Sequence, residues 1–421
     1  MRQHILPFAL AMALSACSLT PALVKPDAPV PVHFPSSNEA DLRANAADLR
    51  WKAVFSDPRL QRLIELALAN NRDLRLAVLN VEAVQAQYGI QRSGQFPAID
   101  VNASAARQRG DSNGTGATTG TQLGLGLGIS AFEIDLFGRT RSLSDAALSR
   151  YLASEQGQKA AQITLIGAVE DSYHAELLAQ EQLKLAQQTL TDWQQSLDLA
   201  RRLKAANQNS GLEVSQAEGQ VATAEADMEA RTRAVSQARN ALQLLVGTAI
   251  PADLPPAPML DDLPRQALPA GLPSDLLTRR PDILQAEHNL RAANADIGAA
   301  RAAFFPRLSL TTSLGYSSSE MGKLFDSGSR VWSFAPQLTV PIFNAGRLRS
   351  ELRLAEVRTS SAVAEYERAI QTAFREVADG LAGRETYGRQ IEAQQRVVAS
   401  AAKRLALSNL RYRAGVDGRL E

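Results

Sequence analysis

Asp73–Pro97 reads DLRLAVLNVEAVQAQYGIQRSGQFP, and Asp282–Pro306 reads DILQAEHNLRAANADIGAARAAFFP. Laid over each other without a gap, 209 residues apart, they share Asp73/Asp282, Ala77/Ala286, Asn80/Asn289, Ala83/Ala292 and Ala86/Ala295. Gly89/Gly298, Arg92/Arg301, Phe96/Phe305 and Pro97/Pro306 complete the set. An offset of 208 then pairs Gly138-Arg139 with Gly346-Arg347, Arg141-Ser142 with Arg349-Ser350, Val169 with Val377, Asp171 with Asp379, and Leu212-Glu213 with Leu420-Glu421. So long a period is not a solenoid unit of about 20–50 residues. It is a duplicated half, which predicts pseudo-twofold internal symmetry.

Each copy changes period at its Phe-Pro. In the first half, helix signals run from near Leu60 to Gln95 and stop at Phe96-Pro97. Proline cannot donate the helical hydrogen bond, and it pushes the residue before it out of the α region. Beyond it Ile99, Val101, Ala103 and Ala105 alternate with small and polar residues, a strand pattern. The polar loop Gly110–Gly120 follows, and then Leu123, Leu125, Leu127, Ile129 and Ala131 alternate with Gln122, Gly124, Gly126, Gly128 and Ser130. After Phe305-Pro306 the arrangement recurs. Leu308, Leu310, Thr312, Leu314 and Tyr316 form one strand face, the polar loop Ser317–Arg330 intervenes, and Trp332, Phe334, Pro336, Leu338, Val340 and Ile342 form the next.

Each half thus supplies one hairpin, 98–134 and 307–342, with strands of roughly ten residues, the length a tilted strand needs to cross a bilayer. Small polar faces make a poor soluble surface, and two isolated hairpins have nothing to pack on. Membrane crossing is therefore favoured over a half-buried soluble sheet. Open edges are not tolerated in hydrocarbon, so four strands must be completed by further chains.

Both hairpins exit through Gly-Arg into proline-free stretches, Arg139–Asn207 and Arg347–Ala414. At 1.5 Å per residue such helices span roughly 100 Å. Leu190, Trp193, Leu197 and Ala200 in one, and Val363, Tyr366, Ile370 and Val377 in the other, have the spacing of packing seams. The expected order is a helix, hairpin 98–134 and long helices 139–207 and 211–247 within a first repeat, 60–247. A Pro-rich linker, 248–273, leads to a second repeat, 274–421, with long helix 346–416. The fold class is α+β.

Upstream, Arg2 and the short apolar run Ile5–Ala16 form an export signal, residues 1–16, too short to span a bilayer. It ends in Leu14-Ser15-Ala16-Cys17, which resembles a bacterial lipobox. Cys17 is the one cysteine of the chain, so no internal disulfide is possible and its use is lipidation: S-diacylglycerol and an N-palmitoyl group, with no other cofactor. Residues 17–59 read as a Pro-rich tether and equatorial segment. A net charge of +1 with both signs dispersed gives no nucleic-acid footprint, and 5% aromatics suit helices packed through thin seams better than large globular cores.

Lipobox, paired hairpins, long helices and the doubled frame together resemble the lipoprotein branch of the outer-membrane factor (TolC-like) family of tripartite (RND-type) efflux systems, over essentially the whole chain. The resemblance implies a homotrimer in the cell outer membrane. Long antiparallel helical hairpins would form a trimeric α-barrel, and four transmembrane strands per chain would contribute to a 12-stranded β-barrel. A periplasmic adaptor and an inner-membrane pump would dock below, and drugs or other small toxic compounds would leave through the lumen. Arg411-Tyr412-Arg413-Ala414-Gly415-Val416-Asp417-Gly418-Arg419-Leu420 resembles the family's tip turn. By that match Leu420 and Tyr412 belong to the periplasmic constriction, and Gly415, Val416 and Asp417 to the adaptor-docking tip. In the first half Asn207 stands where Gly415 stands in the second. The first repeat continues through a return helix to Gly247, whereas the second stops at Glu421. By the repeat, about 35 residues of closing helix are expected beyond it, and the 421-residue chain alone is expected to make a leaky or unstable tube.

An enzyme finds little support. His174 and His288 lack partners at metal-ligand spacing, and Gly124-x-Gly126-x-Gly128 lies on a strand without the helix of a dinucleotide loop. A protein-secretion channel and a pore-free coiled-coil lipoprotein stay open as alternatives.

Overall fold

The computed structural model describes residues 19–34, 50–110, 118–208, 210–260 and 273–413. Cys17, Gly415, Val416, Asp417 and Leu420 lie outside these residues. Tyr412 lies within the last helix, but its side chain is not among those described. The chain divides into two compact units. The first draws on Met1–Ala28, Ala77–Lys159 and Pro281–Ala369, the second on Pro29–Leu76, Ala160–Arg280 and Ile370–Glu421.

The elements follow the repeat. A short helix α1 (Trp51–Val54) precedes α2 (Pro58–Asn70) and α3 (Arg72–Ser93). Strands β1 (Asp100–Gly110) and β2 (Thr118–Ile134) lead to α4 (Arg139–Ala205) and α5 (Gly211–Val246). The second half supplies α6 (Pro273–Arg279), α7 (Pro281–Ala302), β3 (Arg307–Ser318), β4 (Arg330–Thr339) and α8 (Arg347–Arg413). Strand β4 stops at Thr339, short of the expected Ile342, because Pro341 has no N–H to extend the ladder.

The helix expected from Leu60 to Gln95 is two helices. Asn71 breaks it, with extended backbone at φ −62°, ψ 131°. Its side chain works on both sides of the break: Oδ1 accepts from Leu74 N–H at 2.9 Å as the cap of α3, and Nδ2 donates to the Leu245 carbonyl at 2.9 Å. The second repeat breaks at Arg280, the counterpart of Asn71 at offset 209, where Pro281 opens α7.

In the second unit α2 presents Leu60, Leu63, Ile64 and Ala67 at helical spacing to Leu165, Ile166, Val169, Tyr173 and Leu177 of α4 and to Leu242 and Val246 of α5. Asp57 opens α2 by accepting from Arg59 N–H at 2.8 Å, and its other oxygen accepts from the Tyr173 hydroxyl at 2.7 Å. Burial first, and that carboxylate second, push the Tyr173 phenol well above its ordinary range. At the far end of α4, Asn207 adopts φ 58° and Gln208 N–H donates to the Leu203 carbonyl. Asparagine tolerates this left-handed position as glycine does, so the departure from glycine at the first turn costs the chain reversal little. Leu197, Val214 and Ala217 pack just inside it, and Arg201 pairs with Glu218 at 2.8 Å.

In the first unit the segment after Cys17 is not a free tether where it is described. Asn294 donates to the Pro21 carbonyl, Thr20 meets Ser142 at 3.2 Å, and Lys25 pairs with Glu287 at 2.7 Å. A Cβ at Gly298 would lie 2.9 Å from Thr20 Cα, whereas its repeat partner Gly89 has open space. Burial alone would raise the Glu287 carboxyl, but the Lys25 hydrogen bond and the Arg291 charge outweigh it and hold its pKa below the ordinary carboxylate value. A depressed carboxylate stabilises the fold above its unfolded pKa, and that contribution is lost as pH falls through the folded value. Lys25→Ala is expected to cost roughly 1 kcal/mol near neutral pH, Lys25 being half exposed. The deficit should shrink as pH falls below about 4; thermal melts between pH 3 and 7 check this.

Candidate channel-forming surfaces

The four strands form one antiparallel sheet in the order β1-β2-β3-β4. The two hairpins are therefore not isolated: β2 pairs directly with β3, joining the repeats. Residues directly opposite share a face. One row runs Val101, Leu127, Leu314 and Trp332; others add Leu125 with Tyr316, and Leu308 with Leu338. The opposite face carries Asn102, Ser104, Gly126, Gly128, Ser309, Thr311, Ser313 and Ser333.

Sequence alternation placed Ala131 on the apolar face, and here the structure differs. Pairing shifts between Ile129 and Phe132, and Ala131 sits at φ 50°. Such a bulge inserts an unpaired residue and resets the parity. The apolar face thus passes from Leu127 and Ile129 to Phe132 and Ile134, opposite Leu310 and Leu308. Without it, Phe132 and Ile134 would turn to the polar side.

Among the described residues the apolar face is left largely open. Trp332 is 75% exposed and Leu338 62%, with Phe334, Leu314 and Leu127 similarly open. Each such side chain gains about 1.5–3 kcal/mol when removed from water, so this face demands an apolar medium. Its partner face is fit for water. Among the described residues β1 and β4 are edges, each with one side of its backbone ladder unpaired.

The helices repeat this asymmetry. α7 buries ten residues, among them Ile283, Leu290 and Ile297. α3 shares its sequence pattern yet buries none, with Ile90 at 73% exposure. α7 is covered by the N-terminal segment and by α4, against which Gln285 meets Gly157. Among the described residues α3 is covered on one side only, with Leu74, Val84 and Tyr88 half-buried and Leu76, Leu79 and Ile90 exposed.

Where strands give way to helices the exits are built alike. Gly138 and Gly346 have φ 73° and 87°. Asp135 caps α4 by accepting from Arg139 and Arg141 N–H at 2.7 and 2.9 Å, and Asn344 accepts from Leu348 N–H at 3.4 Å for α8. Glu133 grips Arg139 through two bonds of 2.8 and 2.6 Å, which raises the Arg139 pKa.

The titratable groups elsewhere hold structure. His174 pairs with Glu170 at 2.9 Å, whose hydrogen bond raises the imidazole pKa, while burial lowers that of His288. Among the described residues no group of His, Cys, Asp and Glu is placed to hold a metal, and no helix is long and apolar enough to cross a membrane. A sheet wet on one face, apolar on the other and continued by long helices is the wall of a membrane channel.

Comparison with known proteins agrees. The profile of the Outer membrane efflux protein family matches residues 63–248 and 272–421. The solvent efflux pump outer membrane protein SrpC of Pseudomonas putida is 47% identical across 100% of this chain and 91% of its own. The antibiotic efflux pump outer membrane protein ArpC, also of Pseudomonas putida, is 45% identical over 97% of this chain and 86% of its own. The open-state MtrE outer membrane channel of Neisseria gonorrhoeae superimposes with a TM-score of 0.85 at 39% identity, covering 96% of this chain and 90% of that one. The chain belongs to the Outer membrane efflux protein family. It is an outer-membrane efflux channel, a pump component and not an enzyme.

Proposed function

We propose that three copies of this chain close a barrel of about twelve strands, wide enough for an aqueous lumen, and continue it into the periplasm as a helical duct. The open sheet carries this: it is apolar on one face and unpaired at both edges among the described residues. In hydrocarbon every backbone group must be paired, and edge-to-edge addition of identical sheets achieves that while turning the serine and threonine face inward. The bare apolar side of α3 supports the same joint between neighbouring copies.

In this scheme a periplasmic adaptor docks at Gly415, Val416 and Asp417, Leu420 and Tyr412 form the constriction, and an RND-type inner-membrane pump supplies the work. Lipid on Cys17 anchors the N-terminus to the outer membrane. Relatives named for solvent and antibiotic efflux support small toxic compounds as cargo. Deleting the gene is expected to raise susceptibility to toluene and to several antibiotics severalfold, with the intact gene restoring resistance. Unchanged susceptibility combined with loss of a secreted protein would move the assignment to a secretion channel.

A further inference from the structure

At the junction of sheet and helices the first unit holds a cavity of about 690 Å³. Five guanidinium groups line it: Arg139 and Arg150 from α4, Arg307 from the start of β3, and Arg347 and Arg358 from α8. Arg139 and Arg347 are repeat partners at offset 208, and so are Arg150 and Arg358. The duplication thus sets the same two cations on both long helices. Three carboxylates answer them. Glu133 serves Arg139 at 2.6 Å and Arg307 at 3.8 Å; Asp296 pairs with Arg150 and lies in the field of Arg358; Glu351 pairs with Arg347 at 2.6 Å. Five cations against these three anions and Asp135, whose charge also acts on Arg139, leave an excess of one positive charge per chain.

The location gives this excess a direction. Arg307 and Thr339 are register partners on the polar face of the sheet, and both line the cavity. α4 and α8 begin at Arg139 and Arg347, so the positive ends of two long helices point to the same place. Asp135 offsets the first, whereas the cap of the second is the neutral Asn344. Arg307 and Arg347 keep more than half of their side chains exposed. Guanidinium forks match carboxylate and phosphate oxygens in pairs, and a cleft lined by one sign of charge concentrates the opposite ion.

We propose that this cavity is an anion-holding vestibule, which binds the carboxylate, sulfonate or phosphate groups of solutes in transit and makes the channel favour anions over cations. The inference rests on the assignment above, in which the polar face is the lumen. Three copies set the vestibule around one axis, with the Arg139/Arg150 and Arg347/Arg358 pairs alternating in a pseudo-sixfold ring.

The test is ion selectivity of the full chain in planar bilayers under a KCl gradient, with Leu420→Ala in every variant to hold the constriction open. Chloride should permeate in preference to potassium, and inorganic pyrophosphate should reduce the current. Arg307→Gln/Arg358→Gln is expected to lower the chloride-to-potassium permeability ratio by about twofold or more and to abolish pyrophosphate block. Arg307→Lys/Arg358→Lys, which keeps both charges, should retain the preference for chloride. A conducting Gln variant with unchanged ratio and block overturns the vestibule and leaves the channel standing, and so does loss of selectivity in the Lys variant. Inserted protein that never conducts overturns the channel assignment itself.

Discussion

Gly315→Val will abolish barrel assembly. Gly315 faces Gly126 across the β2–β3 ladder that joins the two repeats, and a Cβ there would lie 2.3 Å from the Leu125 carbonyl oxygen and 2.5 Å from Gly126 Cα. Both obstacles are backbone. Strand β3 is hydrogen-bonded to β2 on one side and β4 on the other, so neither neighbour can retreat without breaking its own ladder. The expected loss exceeds the roughly 4 kcal/mol that marks an exceptional single substitution. On native gels the variant should give no oligomer where the parent gives one, and drug susceptibility should match that of the deletion strain. Ser317→Ala, two residues along on the same face, should behave as the parent. A Gly315→Val oligomer as abundant as the parent's would falsify the close approach of the two repeats.

The second large effect lies in the second unit. Gly247 ends α5 at φ 74°, and a Cβ there would stand 2.5 Å from the Asn70 carbonyl oxygen and 3.0 Å from Asn71 N. Left-handed backbone costs a residue with a side chain about 1–2 kcal/mol, and the overlap adds to it. Relief requires moving the chain at Asn70-Asn71. That movement breaks the Asn71 bond to the Leu245 carbonyl and disturbs the cap of α3. Gly247→Val should therefore lower stability by about 3 kcal/mol or more. The checks are the melting temperature by circular dichroism and the rate of proteolysis between α5 and α6. An unshifted melt would show that the α2–α5 contact contributes little.

Much of this architecture is legible in the amino-acid sequence because duplication writes it twice. The period changes at Phe96-Pro97 and Phe305-Pro306 mark the strands, and long proline-free runs mark α4 and α8. Of the predicted seam residues, Leu190, Leu197, Tyr366 and Ile370 are buried, and Trp193, Ala200, Val363 and Val377 are half-buried. Other features depend on what lies across a ladder or beside a helix. The bulge at Ala131 is invisible in a single strand, because parity has meaning only against β3. Asn71 reads as an ordinary helix residue until its bond to Leu245 is seen, although Asn70-Asn71 and the paired Arg280-Pro281 are the local signals. α3 and α7 carry one pattern in opposite surroundings, which sequence similarity conceals. The five arginines of the vestibule come from three elements, and folding alone brings them together. Only the doubled Arg139/Arg347 and Arg150/Arg358 spacing hinted at them. The constriction and docking residues Tyr412, Gly415, Val416, Asp417 and Leu420, like the lipidation site Cys17, rest on sequence resemblance.

The proposed channel depends on a four-stranded sheet that completes itself with copies of the same chain. The native mass of the detergent-extracted protein tests that most directly. Three chains per particle is the predicted value, giving about twelve strands. A monodisperse particle of one, two or four chains would contradict it.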